Sequence, residues 1–209
     1  MASAISLVSQ RVRSWSASLT RRPHPSNRVA ARDSCSRSSA SRPRTSGSRG
    51  ISRCSSLVRL ADQDRARWNG NLIAEATGLL DRALALRRPG PYQVQAAIAA
   101  LHAQAADYEH TDWRQIRLLY DRLQELTPSP VVLLNRAVAT RYVSGPQAAL
   151  AEIEPLAPEL DGYRLFHALR AGLLTGLGRD DEAREASERA LALAGNPAER
   201  ELLARRLSF

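Results

Sequence analysis

Residues 129–197 read SPVVLLNRAVATRYVSGPQAALAEIEPLAPELDGYRLFHALRAGLLTGLGRDDEAREASERALALAGNP. Slid along itself until Ala137 falls on Ala171, this stretch brings other small or apolar residues into coincidence. Ala149 then falls on Ala183, Leu156 on Ala190 and Leu160 on Ala194. Gly145 falls just off Gly178. A period of this length marks a stacked array of helical hairpins. Antiparallel helices approach closely where one presents Ala or Gly to the other, and each hairpin buries its open face on the next. In the turn Leu177-Gly178-Arg179-Asp180, Gly178 is placed for a left-handed C-cap and Asp180 for the cap of the following helix.

The pattern Ala171, Gly178, Ala183, Ala190 resembles a tetratricopeptide repeat (TPR). It departs from that consensus in its aromatics, with Ser187 where a large residue is usual. The expected fold is therefore all-α and TPR-like, an array of antiparallel helical hairpins with about eight helices.

Charge divides the chain sharply. Residues 1–56 hold 11 Arg and one acid, Asp33, whereas residues 57–209 hold 19 Arg against 20 Asp and Glu. The basic character therefore belongs to the first quarter, and an inference to nucleic acid applies there alone. Ser is the commonest residue of that first quarter, so little apolar surface is available for a core and a disordered tail is expected. Three readings of this tail stand open. One is a targeting peptide, with Ile5, Leu7, Val8 and Trp15 near its start. Another is an arm giving weak, sequence-blind binding to nucleic acid. The third, preferred, is an unselected extension or misread frame. The two cysteines, Cys35 and Cys54, both lie in this tail and read as free thiols.

The folded unit is expected over residues 57–209. A long helical pattern runs from Asp62 through Leu72, Ile73, Leu79 and Leu80 to Leu86, and Pro89-Gly90-Pro91 ends it. Pro91 suits the first turn of a second helix, and Thr111 is placed to cap a third. Ser129-Pro130 starts a fourth, Ser144-Gly145-Pro146 separates it from a short fifth, and residues 162–175 and 180–193 form a sixth and seventh. Asn196-Pro197-Ala198-Glu199 carries the capping-box start of the last.

Chemistry is sparse along this chain. His102 and His167 lie on Ala-rich helical stretches, where a packed, hydrogen-bonded core residue is the commoner role than a ligand or base. Trp68 and Trp113 read as packing between layers. No serine stands in a nucleophile elbow, and no Gly-rich loop follows a strand. Neither catalysis, a cofactor nor a metal is expected, and no apolar run has the length of a membrane span. Arg136, Arg141, Arg164 and Arg170 are placed to line the inner face of the array, where pairing with Glu or Asp competes with a contact role. Arg136 and Arg170 are the candidate protein-contact residues.

Several strings together carry a wider resemblance. They are Asp62-Gln63-Asp64-Arg65 with Trp68, Arg88-Pro89-Gly90-Pro91-Tyr92-Gln93, and Gln95-Ala96-Ala97-Ile98-Ala99-Ala100 with His102. They continue with Thr111-Asp112-Trp113, Pro128-Ser129-Pro130-Val131-Val132, Asn135-Arg136-Ala137-Val138-Ala139, Gly178-Arg179 and Gly195-Asn196-Pro197-Ala198-Glu199-Arg200. In these strings the chain resembles the C-terminal extension of bacterial RNA polymerase sigma factors of the extracytoplasmic-function type. The resemblance implies a regulatory, protein-contacting module that is cytoplasmic. Its partners would be sigma domains, the polymerase or an unknown regulator. It also implies that the polymerase-binding and promoter-reading domains precede the module. Residues 1–56 are too short for them and contain no amphipathic helix pair or helix-turn-helix pattern. The chain is thus expected not to initiate transcription alone. A free-standing protein–protein adaptor is the alternative.

Overall fold

Capping residues and prolines set where the helices of this chain begin. In a computed structural model, residues 58–88, 90–198 and 200–201 are described, and the expected tail of residues 1–56 lies outside them. Helices α1 (Gly70–Ala85), α2 (Pro91–Gln104), α3 (Trp113–Leu126), α4 (Pro130–Ser144) and α5 (Pro146–Ile153) are followed by a short α6 (Ala157–Leu160), then α7 (Arg164–Thr175) and α8 (Asp180–Ala192). Among the described residues there is no strand. The fold is all-helical and TPR-like, a series of helical hairpins in which successive long helices pack on one another and α5 packs on α7 across the short α6.

Three local expectations need correction. The helix expected from Asp62 begins only at Gly70. Residues 60–62 and 65–67 form separate 3-10 turns, and the Asn69 side chain caps α1 by accepting from the backbone N–H groups of Asn71 and Leu72. The cap of α3 is Asp112, which accepts from Gln115 N at 3.0 Å. Thr111 is instead buried, its hydroxyl donating to the Asp107 carbonyl. Asp180 is the first helical residue of α8 and not its cap. It joins Asp181 and Glu182 in placing negative charge on the first turn, where the helix dipole favours it. Ser129 does cap α4, its hydroxyl accepting from Val131 N at 3.3 Å.

The sequence register is a packing register. Ala137, Ala171, Ala149, Ala183, Leu156, Ala190, Leu160 and Ala194 are all buried. The α4–α5 hairpin turns at Gly145 (φ +87°) and the α7–α8 hairpin at Gly178 (φ +71°), both left-handed positions that favour glycine. The first hairpin differs from the second in its return arm. Pro155 and Pro158 break it into α5, a 3-10 turn (Glu154–Leu156) and α6, whereas α8 runs on unbroken.

Among the described residues two large hydrophobic cores result, beside a small cluster of Ala190 and Ala194. Leu80 and Leu84 of α1, Val94, Ala97, Ile98 and Leu101 of α2, and Trp113, Ile116, Leu119 and Leu123 of α3 form one, closed by Ala139 of α4. Leu134 and Ala137, from the same α4, belong to the other with Leu150, Ile153, Phe166, Leu173 and Leu174. Helix α4 therefore serves both cores.

Candidate functional site

The strings around Arg65, His102 and Trp113, widely separated in sequence, meet at one end of the first core. Arg65 leaves its 3-10 turn to donate from Nη1 to the His102 and Ala105 carbonyls, at 2.5 and 2.6 Å. These carbonyls lie at the C-terminus of α2, where hydrogen-bond partners are lacking and a cation is favoured. The same guanidinium lies 4.9 Å over the Trp68 ring. The string that carries Arg65 and Trp68 thus closes the far end of a helix that the chain forms only after α1.

Above this closure is an aromatic group. Trp113, buried, meets His102 edge-on at 5.3 Å and Tyr108 edge-on at 5.1 Å. Tyr142 stacks on Trp113 with ring centroids 4.2 Å apart and planes 15° from parallel. Its hydroxyl donates to the Tyr108 hydroxyl across 3.3 Å. Tyr142 nonetheless remains 45% exposed, next to exposed Val143, and the Arg141 guanidinium lies 5.8 Å from its ring.

Burial, and then the charge of Arg65, hold the His102 imidazole below its ordinary pKa, which favours the neutral ring. Burial, followed by the hydrogen bond to Tyr142, raises the Tyr108 phenol far above its usual range. His102 Nδ1 and Trp113 Nε1 are buried without a hydrogen-bonding partner among the described residues. His167 lies elsewhere, with Nε2 2.7 Å from the Asp161 carbonyl oxygen and its ring edge-on to Phe166. The two histidines keep separate surroundings.

The candidate contact residues Arg136 and Arg170 are separated by one step of the register that pairs Ala137 with Ala171. Their surroundings are equivalent too. Arg136 on α4 reaches back to Asp121 of α3 at 2.9 Å and forward to Glu152 of α5 through Nε. Arg170 on α7 lies 3.9 Å from Glu154, in the turn after α5, and 3.9 Å from Glu182 of α8. Each arginine ties a preceding layer to a following one. Their charges are engaged within the array, and their side chains are only 28% and 26% exposed. Arg141 extends past Gly172. Among the described residues, no group of three His, Cys, Asp or Glu is placed to hold a metal ion, and no helix is long and apolar enough to cross a membrane.

Sequence reading found Trp113 as a packing residue but not the exposed Tyr142 that stacks on it. The available signal was the spacing of Tyr108 and Tyr142, which stand one register step apart, as Ala137 and Ala171 do.

Among known proteins, the chain is similar to an uncharacterized protein of Rhizobium meliloti (strain 1021). The two are 57% identical over 143 residues, which cover 68% of this chain and 34% of the relative. The chain thus spans about a third of that relative's length. No protein-family model matches the chain, and no solved structure matches it.

Proposed function

We propose that this chain acts by contacting another protein, as the regulatory helical extension of an extracytoplasmic-function sigma factor. It works in the cytoplasm and does not initiate transcription alone. Its action requires no catalysis and no cofactor. The observation that carries the contact role is the Tyr142 ring, exposed at the surface yet held flat on buried Trp113. Tyr, Trp and Arg dominate the residues that carry binding energy at protein interfaces, and a ring already fixed in place loses little entropy on binding. The Rhizobium relative supports the modular part of the reading, because the similar region is only a fraction of a longer chain. The sigma-factor assignment rests on the strings that carry the resemblance, three of which build the Arg65, His102 and Trp113 end.

The test is in-vitro transcription with core polymerase. Intact sigma domains of the family are used with and without this chain fused behind them, in wild-type and Tyr142→Ala forms. The wild-type fusion should change output, and the Tyr142→Ala fusion should return it to that of the unfused domains. The chain alone should not initiate. Initiation by the chain alone would overturn the regulatory-extension reading. Output indifferent to the fusion would remove the transcriptional role and favour a free-standing protein–protein adaptor.

A further inference from the structure

Helix α1 has two apolar faces where one is enough. Leu80 and Leu84 enter the first core. On another face Leu72, Leu79 and Leu86 are 61%, 53% and 71% exposed. They recur at heptad spacing with Ala76 and Ala83 between them, so the stripe steps alternately by four and three residues. That is the spacing of a coiled-coil seam. Its alternation of large and small also suits a copy of itself running the other way, because each Leu then meets an Ala. The charges of α1 are disposed in the same sense. Glu75 and Arg82, both exposed, stand one heptad apart on the flank of the stripe that faces away from the first core. Neither has an ion-pair partner among the described residues. Asp81 lies on the opposite side of the helix from the stripe, and Arg87 and Arg88 follow its C-terminal end.

We infer that two copies of this chain pair through the Leu72, Leu79 and Leu86 face, with their α1 helices antiparallel about a two-fold axis. A two-fold sets the same flank of both helices side by side, so an acid and a base on one flank complete each other twice. When Leu72 of one copy sits on Ala83 of the other, and Leu79 on Ala76, Glu75 falls opposite Arg82 of the second copy. Sliding the helices by one heptad, to set Leu86 on Ala76 and Leu79 on Ala83, would instead bring Arg82 against Arg82. Parallel pairing would bring Arg82 toward Arg87 of the second copy. The charges thus select one direction and one register. In that register Leu86 lies over the Asn69 end of the second copy's α1. The seam is only about 21 Å long at helical rise. One such helix pair falls short of the ~800 Å² per partner of a standard interface, so the association is weak, reversible and set by the concentration of the chain. The inference stands apart from the proposed function, which uses a different region, around Tyr142.

The experiment is sedimentation equilibrium on the full chain from about 1 µM to about 1 mM, in a reducing buffer that prevents links through Cys35 and Cys54. The wild-type chain should pass from monomer to dimer mass within that range. Leu79→Asp, which sets a charge into the seam, should weaken dimerisation by more than about tenfold. Its site is exposed, so the helical circular dichroism should stay unchanged. Glu75→Arg and Arg82→Glu should each weaken dimerisation by about threefold or more. An equimolar mixture of these two variants should restore it as a heterodimer, because each copy then supplies the charges that the other needs. A wild-type chain that stays monomeric throughout would overturn the proposal and leave the face to a different protein or to another segment of this one. A dimer indifferent to Leu79→Asp would overturn it by placing the contact elsewhere. A mixture that associates no more tightly than either variant alone would overturn the antiparallel pairing.

Discussion

His102 shows how one side chain is governed by its neighbours. Burial and Arg65 both disfavour its protonated form. The unfolded chain therefore takes up a proton near the ordinary histidine pKa of about 6.5, and the folded chain only at lower pH. This group makes stability fall as pH drops below that value. His110 acts in the opposite sense. Its hydrogen bond to Asp107 raises its pKa, so its contribution is present below about 6.5 and is lost as pH rises through the raised folded value. His102→Gln should remove the first effect and leave the second. In urea melts from about pH 7.5 to about pH 5, the variant should lose less stability on acidification than the wild-type chain. Equal losses would mean that the His102 ring is solvated in the fold. The surroundings behind this behaviour were not legible from sequence. Ala-rich neighbours indicated a packed, hydrogen-bonded histidine; the ring is packed on Trp113 but its Nδ1 is unpartnered among the described residues, and Arg65, which bonds the His102 carbonyl, is distant in the chain. It lies in a stretch whose helical periodicity suggested a helix. Propensity over residues 62–68 competes with the unpaired carbonyls at the end of α2, and the carbonyls win.

Between elements, the recurrent device is an arginine at the same register position in the α4–α5 and α7–α8 hairpins. Arg136 joins α3, α4 and α5, and Glu152, its partner, is only 13% exposed. Arg136→Ala should leave that carboxylate facing the helix junction unpaired and cost about 1–3 kcal/mol. Arg170→Ala should cost less, about 0–1 kcal/mol, because its partners stand 3.9 Å away and are about half exposed. Denaturant unfolding measures both. A double-mutant cycle of Arg136→Ala with Glu152→Gln should show coupling of about 0.5–3 kcal/mol, and zero coupling would make the pair incidental. The hairpins themselves were legible. The Ala137–Ala171 and Ala149–Ala183 coincidences mark helix contacts, because close approach demands small residues wherever it recurs. The role of the arginines was not. Sequence placed Arg136 and Arg170 on one face but could not show which carboxylates the stacking brings to them. Tyr142 was missed for a related reason: its significance depends on Trp113, reached only through the α3–α4 contact.

The described residues form two large cores joined through one helix. Ala139 faces the first core, and Leu134 and Ala137 face the second. Native-state hydrogen exchange should therefore resolve two cooperative units, with α1–α3 opening separately from α5–α8 and α4 belonging to the more persistent one. Ile153→Ala, at a fully buried site in the second core, should lower protection across α5–α8 by about 2–4 kcal/mol. Protection in α1–α3 should change by much less. A uniform drop would mean that the cores open as one.

The sharing of α4 also has a consequence for synthesis. The first core can close as soon as Ala139 has emerged from the ribosome. The face of α4 carrying Leu134 and Ala137 must then wait for α5, α7 and α8. At roughly 5–20 residues per second, that wait lasts several seconds. During it, the nascent chain displays a completed half whose last helix is apolar on its outer side. This is the interval in which a chaperone, or a neighbouring nascent chain, has the best opportunity to bind.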